Sequence, residues 1–185
     1  MDKITGDRYY HIYNQANGMI NIFKEQRNYS FFLNKVEKHL EPVCEILAYA
    51  LLKNHFHLII KTKEVSDDKI SRAFANLFIG YAKAYNKTYN RSGSLFKKPF
   101  KRKLIENESY LKNVVLYIHT NPVKDGFVEQ VVEYPWTSYH DIIDESPSLV
   151  ERDLILRLFD GRKNFIATHQ IHLKQQSFIP TFSND

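Results

Sequence analysis

The segment Asn54-His55-Phe56-His57 carries the residue types and spacing best suited to chemistry. On an extended strand, residues two apart share a face, so His55 and His57 can offer two imidazoles to one ion. Phe56, Leu58 and Ile60 then face the other way, into a core. Neutral imidazole is a common transition-metal ligand, and a pair with open positions beside it suits Lewis-acid work on a phosphate. A second segment, Tyr117-Ile118-His119-Thr120-Asn121-Pro122, sets Tyr117 and Asn121 four apart, on one face of a helix. A phenol beside a bound phosphodiester can attack phosphorus and store the energy of the broken bond as a phosphotyrosine. Each segment alone has a plain structural reading: a histidine pair can be incidental, and a helical tyrosine is commonly core or rim. His11, His39, His119, His140, His169 and His172 lack a second ligand at metal-binding spacing and read as surface or packing residues.

The charge distribution indicates a partner. The 185 residues carry 26 Lys and Arg against 21 Asp and Glu, a net of +5. Ten of the basic residues fall between Lys69 and Ile105, where there is no acid at all. The rest of the chain is net negative, so the positive charge is localised, as a polyanion-binding surface requires. Arg91, Lys97, Lys98, Lys101, Arg102 and Lys103 are the candidate nucleic-acid contacts. Interleaved Tyr81, Tyr85, Tyr89, Phe96 and Phe100 can supply stacking surfaces for unpaired bases, although some must be core. A solvated helix face followed by a basic loop is the plain alternative. A single cysteine, Cys44, excludes an internal disulfide and a cysteine-based zinc knuckle. No apolar run approaches the ~18 residues of a membrane span, and the N-terminus has no apolar signal region, so a cytoplasmic protein is expected. A Walker loop and a dinucleotide fingerprint are both absent, which disfavours ATP- or NAD-dependent chemistry.

The elements that must position these residues follow from periodicity and punctuation. Tyr9 to Gln15 reads as a strand closed by Asn17-Gly18, and Glu25 to Leu40 as a helix stopped before Pro42. Cys44 to Leu52 and His55 to Thr62 are apolar runs separated only by Lys53-Asn54, the spacing of a hairpin, and the second is apolar enough to be a central strand. Ser66-Asp67-Asp68 caps a long helix reaching about Tyr89, with Ile70, Phe74, Leu77, Phe78, Tyr81 and Tyr85 at helical spacing. Phe100 to Ile105 reads as a further strand. A helix beginning at Asn107 or Ser109 is expected to end near Asn121, because Pro122 follows. Asp144 to Ser148 reads as a linker, separating a domain over 1–144 from a helical extension over 145–185 with a frayed tail. Strands and helices mix without regular βαβ repetition, which predicts an α+β fold with a mainly antiparallel sheet flanked by helices.

These residues resemble the single-tyrosine HUH transposases, especially the REP-associated tyrosine transposases and their insertion-sequence relatives. The resemblance is carried in order by Tyr10-His11-Ile12 with Asn17-Gly18, Asn54-His55-Phe56-His57-Leu58 and Arg91-Ser92-Gly93-Ser94-Leu95-Phe96. It continues through Tyr110-Leu111, Tyr117 to Val123, and Tyr134-Pro135-Trp136-Thr137-Ser138-Tyr139, covering about Tyr9 to Ile143. It implies a compact antiparallel sheet flanked by helices, recognition of single-stranded or hairpin DNA, and cleavage and rejoining through a tyrosine and a divalent metal (Mg²⁺ or Mn²⁺) without ATP. On this resemblance Tyr117 matches the nucleophile, His55 and His57 match the metal-binding pair, and Asn121 matches an amide placed near the metal. Gln15 stands where relatives often have arginine, and Lys53 where many have proline. The extension lies outside the common core, and a homodimer contact is one role open to it. Two readings from other classes stay open: a domesticated hairpin DNA-binding protein without transposition, and an RNA-binding α+β domain. A mononuclear metal hydrolase is a third.

Overall fold

The structure, a computed structural model, describes residues 4–176. The tail expected to fray, 177–185, lies outside the described residues. Strand β1 (Tyr9–Gln15) is followed by helix α1 (Gln26–Leu40) and the strands β2 (Cys44–Leu52) and β3 (His55–Thr62). Helix α2 (Asp67–Thr88), strand β4 (Lys101–Ile105) and helix α3 (Glu108–Lys124) complete the part that forms the site. A 3₁₀ turn (Val131–Glu133) and helices α4 (Tyr139–Ile143), α5 (Arg152–Leu158) and α6 (Arg162–Gln176) follow. The four strands form one antiparallel sheet in the order β2-β3-β1-β4, so the histidine-bearing strand is central, as its composition predicts.

Strand alternation divides the side chains between two faces. Tyr10, Ile12, Phe56, Leu58 and Ile60 point to the face covered by α1 and α2, where Phe32 packs on Phe56 with ring centroids 5.0 Å apart. Tyr81 and Tyr85 are buried there as well, and their hydroxyls donate to the carbonyls of Ile22 and Asn21. Phe96 is buried too. Of the aromatics expected to offer stacking surfaces, these three are therefore core. Burying a large aromatic face and satisfying its hydroxyl locally outweighs leaving it in solvent.

The opposite face carries His11, Tyr13, His55 and His57 and is covered by α3, whose Leu111, Val115 and Ile118 are buried. Helix α3 continues past Pro122 to Lys124, three residues beyond the expected stop. Proline removes one N–H that would bond the Ile118 carbonyl, but only a fraction of a turn follows it. That turn is closed by the Asp125 N–H on Asn121 O and the Phe127 N–H on Pro122 O, with Gly126 at φ 72°. The final helices pack onto the same body: Phe159 and Phe165 are fully buried in the main core.

Candidate active site

The β2–β3 hairpin turn sets His55 at the mouth of the site and His57 one step inside. Leu52 pairs with His55 across the two-residue Lys53-Asn54 turn. The turn is itself held, since Ala16 N–H donates to Asn54 O at 2.7 Å and Phe23 N–H to Lys53 O at 3.0 Å. The two imidazole centroids are 5.3 Å apart with perpendicular planes. His57 is not on an exposed face as its strand position alone suggests; α3 covers it and only 6% of it is accessible.

Each ring has its Nδ1 engaged: His55 with Asn54 Oδ1 at 2.7 Å, His57 with His11 Nε2 at 2.9 Å. These partners fix ring orientation and leave each Nε2 as the ring nitrogen with no such partner, the arrangement usual for metal-binding histidines. Burial lowers the pKa of His57 well below that of a free imidazole, reinforced by His11 and His55, and burial likewise lowers His55 against the opposing pull of Asp125. Both rings are thus held neutral, the form that ligates. His11 is pushed down to about 4, by burial and then by the Lys103 ammonium.

Tyr117 reaches this pair from α3. Its ring lies 5.8 Å from that of His57 and nearly perpendicular to it, at 83°. Burial raises the Tyr117 pKa, while a hydrogen bond with the Asn121 side chain opposes the rise. The Lys124 ammonium sits 4.6 Å from the centre of the Tyr117 ring. One cavity of about 320 Å³ brings together His55, His57, Tyr117 and Asn121, with Gln15 and Asp125 also on its wall. Tyr110 instead lines the adjoining cavity, with His11 and Lys103.

The donor set fits one divalent ion: two neutral imidazoles with oriented Nε2 atoms and the Asn121 amide in the same cavity. Among the described residues no group of three or more His, Cys, Asp or Glu is placed to hold a metal ion. His11 escaped the sequence reading because its contact with His57 joins residues 46 apart. The available signal was alternation: Tyr13 pairs with His57, and His11, two before it, must share that face. His119 points away from Tyr117, as its helical offset predicts. It is fully buried against His169 Nε2 (3.0 Å) and Ser138 Oγ (2.8 Å).

The basic candidates divide by position. Lys97 and Lys101 line the cavity that His55, His57 and Tyr117 share, Lys103 the adjoining one, and Lys98 is exposed on the connecting loop. Arg91 turns its guanidinium onto its own loop, donating to Asn86 Oδ1 at 3.0 Å and Ser94 O at 2.9 Å. Arg102 lies on the other sheet face, its guanidinium 5.4 Å from the Phe100 ring centre.

An antiparallel sheet thus carries a histidine pair beneath a helical tyrosine. In sequence the chain is similar to a putative REP-associated tyrosine transposase of Haemophilus influenzae, 28% identical over 123 residues, spanning 59% of this chain and 69% of that protein. It is also similar to the REP-associated tyrosine transposase of Escherichia coli K12, 29% identical over 96 residues, spanning 52% of this chain and 54% of that protein. The solved structure of a REP-associated tyrosine transposase bound to a REP hairpin shares the fold, with a TM-score of 0.61 over 82% of this chain and 92% of its own, at 22% identity. No family model matches the chain. The resemblance to REP-associated tyrosine transposases read from the sequence blocks is borne out.

Proposed function

We propose that the chain is a DNA strand-transferring enzyme that binds single-stranded or hairpin DNA and cuts and rejoins it through a 5′-phosphotyrosine on Tyr117. The observation that carries this reading is the convergence of Tyr117, His55, His57 and Asn121 on one cavity from a strand and a helix far apart in sequence. The relatives' names support it, and a transposase of the same fold captured on a REP hairpin supports hairpin DNA as the ligand.

In cleavage the Tyr117 oxygen attacks phosphorus and the P–O3′ bond breaks. The phenol gives up its proton, the departing 3′ oxygen takes one, and the products are a 5′-phosphotyrosine and a 3′-hydroxyl. Rejoining is the reverse attack by a 3′-hydroxyl, which regenerates the phenol and needs no ATP. Burial keeps the Tyr117 phenol protonated at rest, and the Lys124 ammonium over the ring favours the negative charge that grows on attack. The Asn121 side chain orients the hydroxyl. A divalent cation such as Mg²⁺ or Mn²⁺ held by His55, His57 and Asn121 would supply positive charge against the scissile phosphate. Lys97 and Lys101 at the cavity wall bind the adjoining phosphates.

The test is incubation of the full chain with hairpin DNA bearing a single-stranded flank, with Mg²⁺ or Mn²⁺, followed by denaturing electrophoresis. A covalent protein–DNA species is the expected result. Cutting without that species would make water the nucleophile and overturn the mechanism.

A further inference from the structure

Among the described residues, Asp125 is the one acid lining the cavity that His55, His57, Tyr117 and Asn121 share. Lys97 and Lys101 line the same wall, and the Lys124 ammonium stands over the Tyr117 ring. The donors gathered there, two neutral imidazoles and an amide, bring no charge of their own. A divalent cation entering this space therefore meets cationic side chains and a single carboxylate.

The fold fixes where that carboxylate stands. Asp125 caps the C-terminal end of α3, where its N–H donates to the Asn121 carbonyl at 2.8 Å, so the acid is tied through backbone to the amide donor itself. A carboxylate at the negative end of a helix opposes the macrodipole, so the stability of α3 does not account for an acid here. Nor does local bonding, since among the described residues no hydrogen bond or ion pair engages the Asp125 side chain. Its charge is felt across the cavity instead. Burial lowers the pKa of His55 and of Lys124, and in both the Asp125 carboxylate is the charge that opposes the fall.

We propose that Asp125 draws the divalent cation into the site ahead of DNA, holding it through a bound water, and keeps phosphate out until the cation is in place. The proposal rests on the metal-assisted strand-transfer reading above and extends it to the order of loading. Asp125, His55 and His57 are not placed to hold an ion as three direct ligands, which sets the carboxylate at one water's remove. Groups that act on a metal from outside its direct ligands set its affinity in this way. The sign of the charge supplies the second half. Without the cation, a carboxylate and a scissile phosphate sharing about 320 Å³ repel each other; with it, both are drawn to the same ion. One side chain thus has opposite effects on cation and phosphate, which a turn-forming role does not predict.

The experiment uses the full chain and three variants. Asp125→Asn keeps the shape of the side chain and removes its charge, Asp125→Glu keeps the charge, and Glu129→Gln removes an exposed acid outside the cavity. Mn²⁺ affinity is measured without DNA by electron paramagnetic resonance. Affinity for a hairpin with a single-stranded flank is measured in EDTA and again at saturating Mn²⁺. The expected result is that Asp125→Asn binds Mn²⁺ about tenfold more weakly. In EDTA the same variant should bind the flanked hairpin several-fold more tightly than wild type, an advantage lost at saturating Mn²⁺. Asp125→Glu should keep most of the Mn²⁺ affinity, and Glu129→Gln should match wild type in every arm. Unchanged Mn²⁺ affinity in Asp125→Asn would overturn the proposal, as would hairpin affinity in EDTA that is unchanged or lower. A loss in Asp125→Glu or Glu129→Gln as large as in Asp125→Asn would overturn it too, by making the turn or the net charge the cause. The covalent adduct formed by wild type with Mn²⁺ is scored separately. Asp125-dependent Mn²⁺ loading without an adduct defeats the strand-transfer reading alone, and an adduct with Mn²⁺ affinity indifferent to Asp125 defeats this proposal alone.

Discussion

His11 Nε2 lies 2.9 Å from His57 Nδ1, joining strands β1 and β3 beneath helix α3. For His57 to present Nε2 to a cation, its Nδ1 must carry the proton, and His11 accepts it. His11 is available as an acceptor because burial, with Lys103 beside it, pushes its pKa down to about 4. The histidine pair of the motif is thereby extended to three rings in contact, with His11 the one that would orient His57 towards an ion. Replacing His11 with Ala is expected to weaken Mn²⁺ binding by about 10–100-fold, the usual cost of losing a partner that orients a ligand. Electron paramagnetic resonance of Mn²⁺ measures this directly, and unchanged affinity would remove His11 from the site.

His55 is the cleaner probe of the ligand pair. It is only partly buried, whereas truncating His57 leaves His11 with an unpaired buried nitrogen, a cost of about 1–3 kcal/mol in stability. His55→Ala should therefore abolish metal-dependent cutting while leaving thermal stability nearly unchanged. Full activity in a His55→Ala, His57→Ala double variant that remains folded would refute the assignment of both as ligands.

Tyr117→Phe removes only a hydroxyl from the wall of the cavity. Hairpin binding and folding should be retained and the covalent species lost entirely. Persistence of the adduct would direct attention to Tyr110, which lines the adjoining cavity with His11 and Lys103.

The basic stretch should set the salt dependence of binding. For a single strand, log affinity falls with log salt at about −0.7 per phosphate neutralised. Replacing Lys97, Lys98, Lys101 and Lys103, all exposed, with Ala is expected to weaken binding and flatten this slope by two to three phosphate equivalents, about 1.4–2.1 in slope. Arg91 and Arg102, packed on their own loop and on Phe100, should matter less to the slope. A slope that does not change in the quadruple variant would reduce these lysines to a solvated surface.

Acid should loosen the C-terminal helices. Burial pushes His169 down to about 4 and holds His119, its partner across the α3–α6 contact, well below the ordinary imidazole value. An unfolded chain protonates these rings from about pH 6.5 downward while the folded chain does not, so stability is complete above that pH and declines towards pH 4. At about 1.4 kcal/mol per pKa unit, His169 alone accounts for at most about 3 kcal/mol of the loss. Thermal unfolding midpoints should fall across this window, less steeply in His169→Gln. His11 and His57 act in the same direction, so some slope should remain. A midpoint constant from pH 7 to pH 5 would contradict this account.

Local pattern determined the elements. The two-residue turn at Lys53-Asn54, the alternation along His55 to Thr62 and the helical spacing from Ile70 to Tyr85 each depend on neighbours in the chain, and the strands and helices occur where that pattern sets them. It also determined which side chains could share a face, and hence that His55 could meet His57 and Tyr117 could meet Asn121. Whether those two pairs meet each other was decided only by the tertiary structure, since it depends on α3 packing across β3, which no local spacing encodes. The same packing buried His57, supplied His11 from a strand 46 residues away, and took Tyr81, Tyr85 and Phe96 into the core. Pro122 shows that local preference can mislead as well: it argued for a stop, yet α3 runs on to Lys124, and its last carbonyls are taken by the N–H groups of Asp125, Gly126 and Phe127 just beyond it. Spacing fixes direction along an element, but the contacts that hold charge, orient a ring or open a groove are made between elements, and their free energy belongs to the assembled fold.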